Sequence, residues 1–483
     1  MVPYWAEREE EEMAQYLLPS LSARKRKGGI GLEQFFDWVE LSFIPWAGRL
    51  SGNKYMTAIR ETFYRLIPFM IVLDGFRIIQ WAALDPVGPV MGENGMGLGA
   101  VITGGLYGEE YKATAFYRLA QLFSEAMGIS YILLLFFLTM TLAIQLTKIW
   151  GGDKTLAAFC ALGGFFMFLQ MEAEVGVGAA EVLGHPPIRV PTAYLFGVLS
   201  ARILSWLDRF PKLRLHVPES LPERVAKPLE RCIPAALTLV SFLLLCIVAT
   251  QLFVFYHGEF DSFVTSVFRP VSQTLPFALL YQLATWLLWW CGLFGDGFIE
   301  LVHDFAYWPA QLANQASAAA AVFALRDSLA SDFVFTSEFF RTADVHVLAL
   351  AASVLVFSAN RRLRGITWFM LPFLVFNISV PFYFCLPVVL NPAILLPFLI
   401  APLANTVVAW AAISWGVVPV FKFATAGTVP VILSGVLGTG SLMGGVLHLV
   451  VFVLDLFIYA PFVIVSNRID KAEEGRPNHG QIG

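Results

Sequence analysis

One uninterrupted apolar block constrains this chain more than any other feature. Residues Ile233 to Tyr256 contain no charged side chain, and a helix needs roughly 20 apolar residues to cross the hydrocarbon core of a bilayer. Further apolar blocks lie at 62–84, 127–147, 155–171, 271–295, 345–359, 366–415 and 429–465. These blocks predict a polytopic membrane protein whose spans are helices, because a helix satisfies its own backbone groups in lipid.

The composition agrees with a lipid environment. Only 14% of the 483 residues are charged and 57% are hydrophobic, whereas about a quarter of the residues of a soluble domain are charged. The net charge of −4 includes no concentrated basic face, which excludes nucleic acid as a partner. The five cysteines lie in apolar segments without paired spacing, so we expect buried thiols, no metal site and no cofactor.

The distribution of basic residues predicts the orientation of the spans. Lys and Arg are concentrated at 49–65, 148–154, 209–231, 361–364 and 468–471. The segment 85–110 is acidic and glycine-rich by contrast. Since short basic loops remain on the cytoplasmic side, both termini are predicted to be cytoplasmic.

The N-terminal residues 1–61 are predicted to form an amphipathic cytoplasmic segment. The basic run at 24–27 and the stretch Leu32 to Leu41 suit a surface helix on anionic lipid. A solvated leader is the alternative. The start of the chain is acidic and does not resemble a cleavable signal peptide, so the first span is expected to act as its own insertion signal.

Two apolar segments are interrupted in ways that ordinary spans are not. Six prolines break the segment 366–415: Pro372, Pro381, Pro387, Pro392, Pro397 and Pro402. Gly292, Gly295 and Gly297 break the segment 291–320. Interrupted helices inside a membrane line cavities or are buried in protein, and transporters place substrate sites there. The pair predicts a transport pathway, with kinked packing helices as the alternative for either one alone.

Four stretches of the chain carry a family resemblance: 44–76, 215–235, 363–403, which contains LPFLVFNISVPFYF, and 428–462. They resemble the lactose/cellobiose/chitobiose group of sugar-translocating EIIC components of the phosphotransferase system. Their order and spacing cover nearly the whole chain from about Phe43. The resemblance therefore extends across the membrane region and is not confined to one motif.

The resemblance implies an all-α protein of about ten transmembrane helices plus two re-entrant hairpins. It implies a homodimer in a bacterial inner membrane, with residues 62–257 forming the dimerisation half. Residues 258–465 would hold the sugar and move it by an elevator-like shift, and residues 466–483 would form a cytoplasmic tail. In the family a separate cytoplasmic IIB protein phosphorylates the sugar, so the chain itself is not expected to be an enzyme.

The sequence departs from the family pattern at the positions that contact sugar. Phe294 stands where the resemblance leads us to expect a histidine. In the run 376–381, Val380 replaces a glutamate and Ser379 replaces an asparagine. A carboxylate can accept the proton of the attacking sugar hydroxyl and bind it by a charge-assisted hydrogen bond, whereas valine cannot.

These departures define the predicted site and leave the function open among three hypotheses. The predicted substrate-binding residues are Trp289, Trp290, Phe294, Asp296, Asn377, Ser379 and Val380. The leading hypothesis is an EIIC-like permease for a β-disaccharide or related glycoside that works without phosphoryl coupling. The second is a degenerate EIIC that serves as a membrane scaffold or sensor, with residues 1–43 docking a partner. The third is a phosphotransferase permease in which Asp296 replaces the missing carboxylate.

Other ionisable residues within apolar segments carry weaker predictions. Asp74 and Arg77 are one turn apart and are expected to form an ion pair on one helix, with a contact between these two residues and the transport half as the alternative. Asp455 is expected to cap or pair inside the helix bundle, and His448 is expected to be a satisfied packing histidine.

Overall fold

The computed structural model describes residues 52–80, 91, 96, 98–105, 113–174, 189–218, 222–322, 332–386, 388–425 and 427–474. These residues form helices and no strands. The predictions for residues 1–51 and for the end of the cytoplasmic tail lie outside the described residues.

Among the described residues, seven α-helices make up the first part of the chain, up to the end of the longest helix. They are α1 (Lys54–Ile79), α2 (Leu98–Thr103), α3 (Ala115–Trp150), α4 (Lys154–Glu174), α5 (Arg189–Leu207), α6 (Glu223–Glu230) and α7 (Cys232–Ser272). The second part has shorter and more interrupted helices. They are α8 (Leu275–Trp290), α9 (Gly295–Val302), α10 (Trp308–Val322), α11 (Ser337–Phe357), α12 (Arg361–Val375), α13 (Val380–Cys385), α14 (Pro392–Ser414), α15 (Val431–Thr439) and α16 (Leu442–Glu474).

The predicted all-α polytopic fold is confirmed. Seven helical stretches among the described residues are long and apolar enough to cross a membrane. They are Ile132–Trp150, Lys154–Met171, Arg189–Leu207, Glu223–Leu252, Ser337–Phe357, Ala393–Ser414 and Leu442–Asn467. The stretch Arg189–Leu207 was not among the apolar blocks read from the sequence. The shorter Leu275–Trp290 is apolar as well.

Helices α1, α3, α4, α5 and α7 pack together as an N-terminal body. Its interior is apolar and aromatic, as in the edge-to-face contact of Phe196 with Phe242 at 5.2 Å between ring centroids. Hydroxyl groups also join these helices, and Ser200 Oγ on α5 donates to the carbonyl oxygen of Ala157 on α4 at 2.6 Å. Such interhelical hydrogen bonds and small side chains hold membrane helices together where lipid removes the hydrophobic driving force.

In the basic connector before α7, Arg231 forms ion pairs with residues of two other connecting segments of the N-terminal body. Its guanidinium donates to Asp153 Oδ2 at 2.8 Å and to Asp208 Oδ1 at 3.2 Å. Arg214 makes a second ion pair with Asp208. This cluster lies on the side of the membrane that the basic residues predict to be cytoplasmic.

Helices α11, α14, α15 and α16 form the centre of a C-terminal body. Helices α15 and α16 touch at Gly435 and Gly444, where a Cβ on either residue would collide with the backbone of the other. The buried Glu338 on α11 accepts hydrogen bonds from the backbone N and the hydroxyl of Thr425, both at 2.9 Å. Arg341 Nη1 donates to the carbonyl oxygen of the same Thr425 at 2.9 Å. These contacts fix the loop between α14 and α15 against the bundle.

Aromatic rings join the two bodies. Phe63 on α1 stacks on Phe384 of α13 with 4.0 Å between ring centroids and an interplanar angle of 6°. Phe63 also meets Phe294 at 5.2 Å, next to the start of α9. The proposed domain divisions remain predictions, and those at 61/62 and 257/258 fall inside α1 and α7 respectively.

Candidate functional site

The first interruption lies between α8 and α9. Helix α8 ends at Trp290, and Gly292 follows with φ +77°, a conformation that residues with a Cβ rarely adopt. Phe294 then occupies the cap position and α9 begins at Gly295. The hydroxyl of Tyr194, on α5, donates to the carbonyl oxygen of Gly292 at 3.1 Å. The N-terminal body therefore holds this break in place.

The second interruption lies between α12 and α14 and contains the short helix α13. Two residues that are not glycine have positive φ at its ends, Asn377 at 58° and Leu390 at 57°. Asn391 then caps α14 by accepting a hydrogen bond on Oδ1 from the backbone N of Ala393 at 3.0 Å. Left-handed backbone at such residues is uncommon and clusters at functional sites.

The two interruptions are bonded directly to each other. The backbone N of Leu390 donates to the carbonyl oxygen of Trp290 at 2.9 Å, and the indole Nε1 of Trp290 donates to the carbonyl oxygen of Asn391 at 3.0 Å. Backbone groups released by the broken helices are thereby satisfied inside the protein, as a lipid environment requires.

A cavity opens beside both interruptions. Its wall consists of Asp74, Trp286, Trp289, Asp296, Asp344, Asn377, Ile378, Ser379, Val380, Tyr383, Gly427 and Thr428. A second lobe shares Trp286, Asp296 and Asp344 with the first and extends past Glu300, His303 and Arg341. The carboxylates of Asp296 and Asp344 therefore lie where the two lobes meet.

Each of the two shared carboxylates accepts a hydrogen bond from a side chain of the wall. Asp296 Oδ2 accepts from the indole Nε1 of Trp289 at 3.2 Å, and Asp344 Oδ2 accepts from Nδ2 of Asn377 at 3.5 Å. A carboxylate oxygen has more than one acceptor site, so both groups can still accept from a ligand. Aromatic rings with a few well-placed polar groups are typical of small-molecule sites.

Five of the predicted site residues line this cavity. They are Trp289, Asp296, Asn377, Ser379 and Val380. The other two, Trp290 and Phe294, are buried away from its wall. Trp290 is fully buried and bonds to the second interruption, while Phe294 packs between Phe63 and Trp289 at centroid distances of 5.2 and 5.5 Å.

Seven residues of the wall were not in the predicted set: Asp74, Trp286, Asp344, Ile378, Tyr383, Gly427 and Thr428. Asp344 lies on α11 and Tyr383 on α13. The signal that points to Asp344 is a carboxylate inside an apolar span, because ionisable residues at membrane depth are costly and default to functional candidates. Asp74 comes from α1, and its place in the wall agrees with the alternative of a contact with the C-terminal half, while the ion pair with Arg77 stays a prediction.

The remaining predictions for ionisable residues concern the bundle. Asn405 Nδ2 donates to Asp455 Oδ2 at 2.8 Å, which confirms that Asp455 pairs internally. His448 contacts the carbonyl oxygen of Val431 at 2.7 Å and the hydroxyl of Thr342 at 3.3 Å, as expected for a packing histidine. Within the described residues no group of three or more His, Cys, Asp or Glu is arranged to hold a metal ion.

Comparison with known proteins decides the family. The family described as "Phosphotransferase system, EIIC" matches residues 96–402, more than half of the chain. This chain is a member of the EIIC family. The resemblance read from the sequence is thereby confirmed, and with it a membrane-embedded sugar permease of the phosphotransferase class.

Curated relatives match this EIIC along nearly its whole length. The oligo-beta-mannoside-specific EIIC component of Bacillus subtilis is 26% identical over 449 residues, covering 91% of this chain and 96% of that protein. The cellobiose-specific EIIC component of Geobacillus stearothermophilus is 23% identical over 461 residues, covering 92% and 96%. A crystal structure of ChbC, the IIC component of the N,N'-diacetylchitobiose-specific system, has 20% identity and a TM-score of 0.47, covering 91% of this chain and all of that one.

Proposed function

We propose that this EIIC protein carries a β-linked disaccharide or related glycoside and binds it in the cavity beside the two interruptions. The proposal is based on one observation: aromatic rings and carboxylates line the same cavity at these interruptions. The names of the relatives specific for oligo-beta-mannosides and cellobiose agree with a β-glycoside.

The wall suits a sugar for two chemical reasons. The rings of Trp286, Trp289 and Tyr383 offer apolar faces for the C–H surface of a pyranose. Asp296 and Asp344 offer acceptors for its hydroxyl groups, and hydrogen bonds to an ionised group are stronger than neutral ones. Binding therefore combines ring stacking with charge-assisted hydrogen bonds.

We further propose that transport occurs without transfer of a phosphoryl group to the bound sugar. Val380 lines the cavity at the position where the family resemblance leads us to expect a glutamate. Valine cannot take a proton from the hydroxyl that attacks phosphorus. The carboxylates that remain belong to other segments of the wall, so a sugar hydroxyl opposite Val380 has no base there.

One observation favours the alternative of a phosphotransferase permease. Asp296 lies in the wall and its carboxylate is held by the indole of Trp289. In that alternative Asp296 takes the proton of the hydroxyl and a cytoplasmic IIB protein supplies the phosphoryl group. The scaffold or sensor hypothesis depends on residues 1–43, which lie outside the described residues.

The elevator mechanism and the homodimer remain part of this proposal. The C-terminal body would carry the cavity across the membrane against an N-terminal body that forms the dimer. The ring contacts of Phe63 with Phe294 and Phe384 support a boundary between the moving and fixed parts.

Sugar counterflow in proteoliposomes tests the permease. Liposomes loaded with unlabelled cellobiose or mannobiose are expected to accumulate the labelled sugar from outside, and Trp289→Ala is expected to lower the rate at least tenfold. Trp206→Ala is the matched control, because Trp206 is 52% exposed on the outside of α5. Absence of counterflow for every β-disaccharide tested would overturn the proposal.

A second arm addresses phosphoryl coupling. The same liposomes are loaded with a phosphorylated cellobiose-type IIB protein, and the internal sugar is recovered and separated by chromatography. Free sugar is the expected product. Formation of sugar phosphate that Asp296→Asn abolishes would instead establish the alternative.

A further inference from the structure

A second polar site lies inside the C-terminal body, where α11, α14 and α16 pack together. It consists of Asp455 and Tyr459 on α16, Asn405 on α14 and His346 on α11, here termed the Asp455 cluster. All four side chains are at most 1% exposed. None of them lines the sugar cavity.

The hydrogen bonds of the Asp455 cluster are incomplete. Asn405 Nδ2 donates to Asp455 Oδ2, but Asp455 Oδ1 and Asn405 Oδ1 have no partner among the described residues. The hydroxyl of Tyr459 and Nε2 of His346 are also without a partner there. Two acceptor oxygens and the hydroxyl of Tyr459 are therefore unsatisfied within one cluster, which is a rare and costly arrangement for fully buried groups.

The charge of Asp455 is also uncompensated. No Lys, Arg or His side chain of the described residues makes an ion pair with it. A lone buried carboxylate is strongly disfavoured unless it is neutralised. One proton bound to Oδ1 would remove the charge and supply a donor at the same time. A proton is therefore the ligand that fits the cluster.

A row of rings connects the cluster to the sugar cavity. Tyr459 is one helical turn from Asp455, and its ring lies nearly parallel to that of His346 at 6.2 Å between centroids and 18°. The ring of His346 meets Trp286 at 4.1 Å, and Trp286 lines both lobes of the cavity. A side chain of the cavity wall is therefore linked to the Asp455 cluster by direct ring contacts.

The other titratable groups near Asp455 are few. Helices α14 and α15, which pack on α16, contain no ionisable side chain. On α11 the group facing the cluster is His346, and on α13 it is Tyr383, which interacts with Tyr459. His448 on α16 itself is engaged by Val431 and Thr342.

We propose that Asp455 is a proton-binding site and that its proton moves inward with the sugar. The proposal rests on the proposed function, and it supplies the driving force that a permease without phosphoryl coupling needs. Asp455 takes up a proton from the outer aqueous side and releases it on the inner side. No covalent bond of the sugar changes, so the step balances as the movement of one proton.

Proton movement and sugar counterflow, measured on the same proteoliposomes, test the proposal. A pH-sensitive dye inside the liposomes is expected to report acidification when cellobiose is added outside the unmodified protein. Asp455→Asn keeps the shape of the side chain and removes its titration, so it is expected to abolish acidification while counterflow stays within about threefold. Tyr459→Phe is expected to slow acidification. Thr406→Val is the matched control, because Thr406 is buried beside Asn405 and its hydroxyl bonds within its own helix to Pro402.

The outcomes separate the two proposals. Counterflow without sugar-dependent acidification by the unmodified protein would overturn the coupling alone. Acidification by Asp455→Asn equal to that of the unmodified protein would also overturn it, and so would loss of acidification in Thr406→Val to the same extent. Absence of counterflow in the unmodified protein would overturn both the permease and its coupling.

Discussion

The indole of Trp290 and the carbonyl group of Asn391 are joined by a hydrogen bond of 3.0 Å. Trp290 ends α8 and Asn391 immediately precedes α14, so the bond fastens the two interrupted segments of the C-terminal body to each other. The backbone bond from Leu390 to Trp290 reinforces it. The two segments that contribute to the cavity wall are therefore bonded to each other.

Trp290→Phe is expected to destabilise the protein. The substitution keeps an aromatic ring but removes the indole donor to the part-buried carbonyl of Asn391, and the net loss of one such hydrogen bond costs about 0.5–1.5 kcal/mol. Thermal unfolding in detergent should show a lower Tm. Trp206→Phe, at an exposed position, is expected to unfold like the unmodified protein, and an equal loss in both variants would contradict the assigned role of the bond.

Phe294→His, which introduces the histidine expected from the family resemblance, is expected to weaken the fold without strengthening sugar binding. Phe294 is only 8% exposed and packs on Phe63 and Trp289, so an imidazole there buries polar nitrogens at a cost of about 1–3 kcal/mol. Unfolding temperature and quenching of tryptophan fluorescence by cellobiose measure the two effects. Phe294→Leu should retain most of the stability, and tighter sugar binding by Phe294→His would disprove the prediction.

Asp296→Asn is expected to weaken sugar binding about tenfold, equivalent to about 1.4 kcal/mol. The amide retains the shape of the side chain but removes the charge that strengthens hydrogen bonds from sugar hydroxyls. The concentration of cellobiose that gives half-maximal counterflow is the measurement. Asp332→Asn is the control, since Asp332 forms an ion pair with Lys422 away from the cavity and should leave this concentration unchanged.

Gly292→Ala is expected to lower stability by about 1–2 kcal/mol, the cost of a left-handed conformation for a residue with a Cβ. Gly292 has φ +77°, and a Cβ there would meet Cγ1 of Val389 at 3.0 Å. Gly365→Ala, on α12, has nothing within 4 Å of the added Cβ and should unfold at the same or a higher temperature. Identical unfolding temperatures for the two variants would rule out strain at Gly292.

Hydropathy predicted most spans but not Arg189–Leu207. This helix carries arginine, serine and threonine side chains that lower its mean hydropathy, yet its serines are used between helices. Ser200 bonds to Ala157 and Ser205 to the carbonyl oxygen of Gly151. A polar side chain lowers the hydropathy of its own span. Its hydrogen-bond partner lies far away along the chain, so the sequence does not show that the side chain is satisfied.

The positions of the two interruptions could be predicted from the sequence. Which of their side chains point into the cavity could be predicted only in part. Glycines and prolines located both interruptions, and Trp289 and Asp296 line the cavity between them. Trp290 follows Trp289 by one residue, about 100° around the helix, and therefore points away. Phe294 follows Gly292, whose backbone is left-handed. The helical spacing of α8 therefore does not predict where the side chain of Phe294 points.

The hydrogen-bond partner of Asp344 could not be identified from the sequence. It lies 33 residues before Asn377, the residue that donates to it, and only the packing of α11 against the second interruption brings them together. The same holds for Asn405 and Asp455, which are separated by 50 positions. Isolated polar residues in apolar spans indicate that partners exist, but the partners become known only from the packed bundle.

The ring stack of Phe63 on Phe384 has a mechanical consequence. Two flat rings at 4.0 Å and 6° attract each other by dispersion, which has no preferred direction in the ring plane and is small for each atom pair. Displacing one ring along the other breaks no hydrogen bond and exposes no charge to lipid. The stack between α1 and α13 therefore holds the two rings face to face while offering little resistance to sliding of one ring along the other.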